Sequence, residues 1–307
     1  MSHHLPAAHR RRLWILPLLA AGAAVSAVWQ PFAPDAIDLA QRHAPMSALH
    51  WLGTDHLGRD VLSRVLVGAH VTVAVVAIVG AMAVTLGSLV GLAAALGGRW
   101  TAAVLLRGAE FLAVAPSLVI AIALTALFGL DALTAGFALG IGACGPFALL
   151  SYGLARRGMA EPYVRAARAL GAGTGALIVR HVWPAMLDTQ FAYLGAKLGR
   201  VAIAYAALAF LGLGADVTRP DWGAMLYEYR PFMFDNPLLM VWPGLAVVLV
   251  CVSLRTAFGG DPGARVPASG GDACTAVECA EAHDLAGASP RPLRLVPGLA
   301  AAPRRLI

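Results

Sequence analysis

Six long apolar stretches dominate this chain and restrict what it can fold into. They lie near residues 13–32, 67–96, 109–129, 132–155, 188–214 and 237–258. A bilayer core of about 30 Å needs about 20 apolar residues per helix, and each stretch reaches that length. In lipid, backbone groups are satisfied only inside a helix or a closed barrel. The stretches are continuously apolar rather than alternating, which excludes the barrel pattern. The expectation is an all-α membrane protein with six transmembrane helices. Composition supports it: 59% of residues are apolar and 13% charged, against about 45–50% and about 25% in soluble domains. The mean hydropathy is +0.72, so part of the apolar surface must face lipid. The first stretch follows Arg10, Arg11 and Arg12, as a cleaved signal peptide also would. Its length and the lack of a small-x-small cleavage site favour a retained span.

Arginine placement sets the expected orientation. Of 23 basic residues, only Lys197 is a lysine. With the N-terminus (1–12) in the cytoplasm, ten arginines fall on the cytoplasmic side: Arg10–Arg12, Arg99, Arg107, Arg156, Arg157, Arg165, Arg168 and Arg180. Five fall outside: Arg42, Arg59, Arg64, Arg219 and Arg230. The short connections at 97–108 and 156–187 weigh most, and both point inward. Six spans then bring both termini to the cytoplasm. The transmembrane domain covers 13–258. The Gly-, Ala-, Pro- and Ser-rich tail 259–307 has no amphipathic period and reads as disordered.

The net charge of +6 is accounted for by these loop arginines. No basic run carries interleaved aromatics, so nucleic acid is not an expected partner. Cys144 and Cys251 lie in apolar stretches, and Cys274 and Cys279 with His283 match no zinc spacing. His50, His56 and His70 are scattered, and no metal site is expected. The chain has no Gly-x-x-x-x-Gly-Lys-Ser/Thr phosphate loop, no His-Glu-x-x-His and no Gly-x-Ser-x-Gly. It is therefore not expected to be an enzyme or to bind a cofactor, and any ATP is bound by other subunits.

Helix packing is foreshadowed by the Gly-x-x-x-Gly pairs Gly87/Gly91, Gly136/Gly140 and Gly195/Gly199, whose spacing lets backbones approach. Pro116 is expected to kink the third span. Arg107 and Glu110, three apart, are placed to pair on one helix face. Lys197 and Arg200 either line a pore or anchor a span boundary. Trp222 and Tyr227 read as interfacial belt residues, or as a docking point for a substrate-delivery protein. In Gly53–Arg64, Asp55 is placed to cap a turn, with Arg59 and Asp60 pairing at the surface.

The most informative stretch is the loop 156–187. Helix formers run from Glu161 to Leu170, Gly171 and Gly173 break the helix, and a second helical piece runs up to Pro184. Tyr163, Ala167 and Leu170 share a face by helical spacing. Physically, this is either an apolar knob for a partner's groove or an interfacial helix that anchors the loop.

The segment resembles the ATPase-coupling loop of binding-protein-dependent ABC importer permeases. Their pattern is Glu-Ala-Ala, three residues, Gly, nine residues, Ile-x-Leu-Pro. Here Arg165-Ala166-Ala167 stands at the triplet, Gly171 at the glycine and Pro184 at the proline, with His181 and Trp183 at the Ile and Leu positions. Tyr163 to Ala172 is similar to the variant Tyr-x-x-Ala-Ala-x-x-x-Gly-Ala of the dipeptide, oligopeptide and nickel branch. Gly53-Thr54-Asp55-His56-Leu57-Gly58-Arg59-Asp60-Val61-Leu62-Ser63-Arg64 resembles that branch's signature before its second span. Phe210-Leu211-Gly212-Leu213-Gly214 with Pro220-Asp221-Trp222-Gly223-Ala224-Met225-Leu226 resembles its loop after the fifth. The resemblance covers roughly 10–258 and is nearest the second, shorter permease type; the usual polar closing segment is matched only loosely by Arg255–Arg265. It implies a type I ABC permease fold in the inner (plasma) membrane. It also implies a homologous second permease, two ATP-binding subunits and an extracytoplasmic solute-binding protein as partners. Tyr163, Arg165, Ala166, Ala167, Gly171, His181 and Pro184 would form the coupling contact. Cargo would be peptides or nickel and metal chelates, with opines or another small solute as alternatives. A stand-alone channel is the contrasting reading.

Overall fold

A computed structural model describes residues 29–212 and 220–258. The N-terminus 1–12, nearly all of the expected first span, Leu213, Gly214 and Arg219, and the tail with Cys274 and Cys279 lie outside the described residues. The regular structure among the described residues is helical, apart from one isolated bridge between Thr54 and Asp60. In chain order the helices are α1 (Val61–Leu96), α2 (Arg99–Val114), α3 (Ser117–Phe128), α4 (Ala132–Ala160), α5 (Pro162–Ala169), α6 (Thr174–Phe210), α7 (Trp222–Tyr229) and α8 (Leu238–Phe258). Four of them, α1, α4, α6 and α8, are long and apolar enough to cross a membrane, and α2 with α3 makes a fifth if that bent pair is one span.

Local chemistry sets the boundaries. Asp60 caps α1 by accepting the Ser63 N–H at 2.8 Å. The 36 residues of α1 amount to about 54 Å of helix, well beyond the about 30 Å of a hydrocarbon core, so the helix is long enough to tilt or to project. The expected loop 97–108 is mostly helix, since only Gly97 and Gly98 separate α1 from α2. At Pro116 the expected kink is a complete break: α2 and α3 meet at 84°. Ala115, before the proline, is driven out of the helical region to ψ 131°, as the proline ring requires. Pro116, lacking an N–H, starts α3 instead.

Helix directions follow from which residues meet. Along α1 and α4, Ile78 meets Gly136, Met82 meets Gly140, Phe147 meets Gly87 and Ala148 meets Gly91, so the two run parallel. A Cβ added to Gly91 would lie 2.3 Å from the Ala148 carbonyl oxygen, and one on Gly87 2.8 Å from the Phe147 Cβ. Two of the three glycine pairs thus build one close seam. The third faces α8: Gly195 meets Phe258 and Gly199 meets Cys251, which makes α6 and α8 antiparallel. Leu198 of α6 lies against Gly80 of α1 and Gln190 bonds Ser88, so α6 runs against α1. The bundle therefore has two distinct ends. Residues 29–60 and α7 gather at one; α5 and the start of α6 lie at the other.

The core joins Val75, Val79 and Ala83 of α1 with Ala138, Ala143 and Phe147 of α4 and Leu194, Leu198 and Tyr205 of α6. Outward faces are as apolar as the core: Phe111, Val114, Leu127, Phe128, Val248 and Val252 are exposed. Such a surface is stable against lipid or another apolar subunit, not against water.

Candidate functional site

The surface at the α5 end is built by a turn whose backbone is specific. Glu161 is the extended residue before α5, and Pro162, whose missing N–H costs nothing at a first helical position, starts it. Val164 is fully buried and pins the helix, while Tyr163 is 49% and Leu170 90% exposed. Arg165 and Ala166 are exposed and Ala167 is half-buried. The helix ends at Gly171, whose φ is +91°. The Ala172 N–H donates to the Ala167 carbonyl at 3.1 Å and the Gly171 N–H to that of Arg168 at 3.0 Å. These are the two bonds of a Schellman end, which calls for the left-handed residue glycine supplies.

Beyond the turn, the expected second helical piece does not stop at Pro184. It is the first part of α6, which runs unbroken from Thr174 to Phe210. A π turn at Ile178–Val182 makes this work: the Trp183 N–H bonds back to Ile178. The wider turn accommodates a proline that can neither donate a hydrogen bond nor tolerate the normal carbonyl position before it. The Tyr163 and His181 rings meet edge to face with centroids 6.0 Å apart. Leu177 and Val182 are fully buried below them. Pro184 is exposed on the continuing helix. Lys197, half-buried, and Arg200, exposed, lie farther along α6 and are not part of this surface.

At the other end, the segment before α1 folds around a buried charge cluster. Asp55 accepts the Leu57 and Arg59 N–H groups at 2.8 and 2.9 Å, closing the turn as expected. Arg59 and Asp60 do not pair at the surface. Arg59 is 2% exposed; its Nε donates to Asp55 at 2.7 Å and its Nη2 to Glu228 on α7. Arg64 Nη2 reaches the other Glu228 oxygen at 2.8 Å. Asp60, besides capping α1, lies 3.0 Å from His50 Nδ1. Two guanidiniums and two carboxylates thus cancel in a site largely removed from water, which is what burial of charge demands. Burial lowers the His56 pKa below its ordinary value, against the opposing pull of Asp55 and Glu228. Burial likewise pushes up the Tyr229 hydroxyl, which donates to Asp55 at 3.3 Å.

Asp55, His56 and Glu228 stand close enough to suggest a cation site, their ligand atoms all within 4.8 Å. Both carboxylates are already engaged by Arg59 and Arg64, whose charges repel a dication, so the donor set fits an ion-pair network instead. Trp222 is buried rather than at a lipid interface: its indole N–H donates to the Val65 carbonyl at 2.8 Å and its ring lies against Gly68. Tyr227 is partly exposed, with Arg230 5.0 Å over its ring. Arg107 and Glu110 do pair, at 3.1 Å on an exposed face, a contact of little energetic weight. Glu228 and Gln190 were not legible beforehand. The only signal for Glu228 is an acid at the end of an apolar stretch, and a lone glutamine in a span has none.

A family model described as "Binding-protein-dependent transport system inner membrane component" matches residues 83–259. The chain is 32% identical over 241 residues to the nickel transport system permease protein NikC of Escherichia coli K12, covering 78% of this chain and 87% of that one. It is 36% identical over 223 residues to the probable D,D-dipeptide transport system permease protein DdpC of the same strain, covering 72% and 74%. With the glutathione transport system permease protein GsiD of Pectobacterium atrosepticum it shares 32% over 209 residues, covering 68% and 69%. The glycine turn, the apolar exterior and these matches agree: the chain belongs to the inner-membrane permeases of binding-protein-dependent ABC importers, in the branch that includes the peptide and nickel systems.

Proposed function

We propose that this chain forms half of the translocation path of an importer for peptides or metal chelates, and that residues 161–184 receive the motion of an ATPase. The carrying observation is mechanical. An exposed knob, Tyr163 to Leu170, is closed by a Schellman turn at Gly171, and the spanning helix α6 starts at Thr174 directly after that turn and runs unbroken to Phe210. Force applied at Tyr163, Arg165, Ala166 or Ala167 passes through the Tyr163–His181 contact and Pro184 into a helix that crosses the bundle. The architecture in this reading is that of a type I permease, with six spans and both termini cytoplasmic, the first span supplied by residues 13–32. With α2 and α3 counted as one traverse, residues 29–60 and Phe258 lie at opposite ends, and the proposed further span before residue 29 would return the N-terminus to the α5 end. That end is cytoplasmic by arginine placement.

The partners are a homologous permease, two ATP-binding subunits that bind the nucleotide this chain does not, and a solute-binding protein on the opposite side. Alternating access comes from rigid-body motion of the helices. Lys197 and Arg200 face the path or the second permease, because a charge at bilayer depth is retained against a cavity or a partner. The relatives' names span nickel, a D,D-dipeptide and glutathione. All three are small polar or charged solutes that need a hydrated path.

Co-purification of the tagged chain with ATP-binding subunits from its own cells tests the assignment. A stable complex whose ATP hydrolysis rises with its binding protein supports it; full transport by the isolated chain refutes it. Affinity of that binding protein for dipeptides, glutathione and nickel chelates decides the cargo.

A further inference from the structure

Deep in the bundle, one side chain joins three helices. Gln190 of α6 is 1% exposed. Its Nε2 donates to Ser88 Oγ of α1 at 3.1 Å and to Ser151 Oγ of α4 at 3.0 Å. Ser151 in turn donates to the Phe147 carbonyl at 2.7 Å. Ser88 and Ser151 are fully buried. The Gln190 carbonyl oxygen, equally buried, has no hydrogen-bond partner. Elsewhere the core that α6 shares with α1 and α4 is built from Val, Ala, Leu, Met, Phe and Tyr.

We propose that Gln190 is the positioning residue through which movement of α6 is passed to α1 and α4, an inference that rests on the coupling role of residues 161–184 given above. The surroundings assign it this place. Gly87 and Gly91 flank Ser88 and lock α1 onto α4 at backbone contact, with Ser151 against Gly91. These two helices move as one body. Helix α6, which follows the knob and touches it through His181, meets that body through apolar packing, which slides, and through this amide, which does not. Ser88 directly follows the π turn Ala83–Gly87 of α1, and Gln190 lies two turns beyond the π turn Ile178–Val182 of α6. Such turns interrupt the regular α-helical ladder and recur at functional sites. The orphaned carbonyl leaves a second arrangement open to this contact. Buried acceptors are normally paired, and a shift of α6 that brings either serine hydroxyl round to donate satisfies it. Apolar neighbours alone offer no such discrete alternative, and a coupling element needs one.

Gln190→Leu keeps the volume and removes the amide. The Ser151 hydroxyl keeps its own carbonyl partner, so no donor is stranded there. The assay is ATP hydrolysis by the complete importer in lipid, with and without its solute-binding protein, for Gln190→Leu, Ser88→Ala/Ser151→Ala and the triple variant. The expected result is wild-type basal hydrolysis, with stimulation by the binding protein reduced at least about fivefold, the lower range of an allosteric coupling. The triple variant should match either parent, because all three remove one interaction. A residue that merely stabilised the bundle would lower complex yield and leave the stimulation ratio of the surviving complex unchanged. That result, or additive losses in the triple variant, overturns the inference. If Gln190→Leu does not assemble, the double serine variant, which keeps Gln190, is read by the same criteria. Absence of stimulation in the wild-type complex overturns the coupling reading itself, and this inference with it.

Discussion

Replacing Glu228 by Gln tests the buried charge cluster at the end opposite the Gly171 turn. In the native chain, Asp55 and Glu228 balance Arg59 and Arg64, both arginines 2% exposed. Glu228→Gln preserves shape but leaves two guanidiniums facing one carboxylate. Breaking a buried pair by removing one partner costs about 3–5 kcal/mol. The Glu228 side chain is 18% exposed, so some water reaches the site and about 3 kcal/mol is the expected loss. For a unit of this size, that lowers the unfolding midpoint by about 6–12 °C, measured by thermal unfolding of the detergent-solubilised complex. Adding Arg64→Met restores the balance of one carboxylate to one guanidinium, since Asp55 still holds Arg59 at 2.7 Å. The double variant should therefore regain more than half of the loss. A midpoint change below about 3 °C for Glu228→Gln, which is about 1 kcal/mol, would refute the electrostatic reasoning. So would a double variant in which the two losses simply add.

Gly171→Ala forces a side chain onto φ +91° with open space around it, so the penalty is backbone strain of about 1–2 kcal/mol. Binding-protein-stimulated ATP hydrolysis should fall while the amount of permease in the membrane stays level. Gly171→Pro, which also deletes the N–H bonded to Arg168, and Ala167→Asp on the knob should abolish stimulation altogether. Gly91→Val places atoms into the Ala148 carbonyl at 2.3 Å, and should remove the folded chain from the membrane fraction rather than reduce its turnover. His56 gives a pH signature. Its folded pKa lies below the ordinary 6.5 because burial disfavours the charged ring, so below pH 6.5 the unfolded chain binds a proton that the folded chain refuses. Stability should then decline as pH falls from 6.5 towards the lowered value, and His56→Asn should flatten that part of a midpoint-versus-pH curve.

The exposed helix and turn at residues 161–171 are legible because their information is local. Glu161-Pro162 starts a helix, Gly171 ends it, and both act on their immediate neighbours. The same locality misled at Pro184. As a proline it reads as a stop, yet five residues before it already wind into a π turn that absorbs the missing hydrogen bond. Pro116 went the other way: a kink was expected, and Ala115 leaves the helix entirely. The proline's covalent constraint is the same at both sites. What its neighbours can accommodate differs, and that is decided by packing against α4 and the rest of the bundle.

Composition and run length by themselves determined that this chain is helical and membrane-bound, since about 20 consecutive apolar residues have few other stable solutions. The motifs brought the permease family within reach. Only the tertiary structure decided how charge and polarity are spent inside that bundle. Arg59 and Glu228 are 169 residues apart in sequence, and Gln190 and Ser88 are 102 apart. No periodicity links such positions. Desolvation does: once the helices close, a buried guanidinium or amide must find its partner in whatever residue the fold brings near, and that residue is chosen in three dimensions.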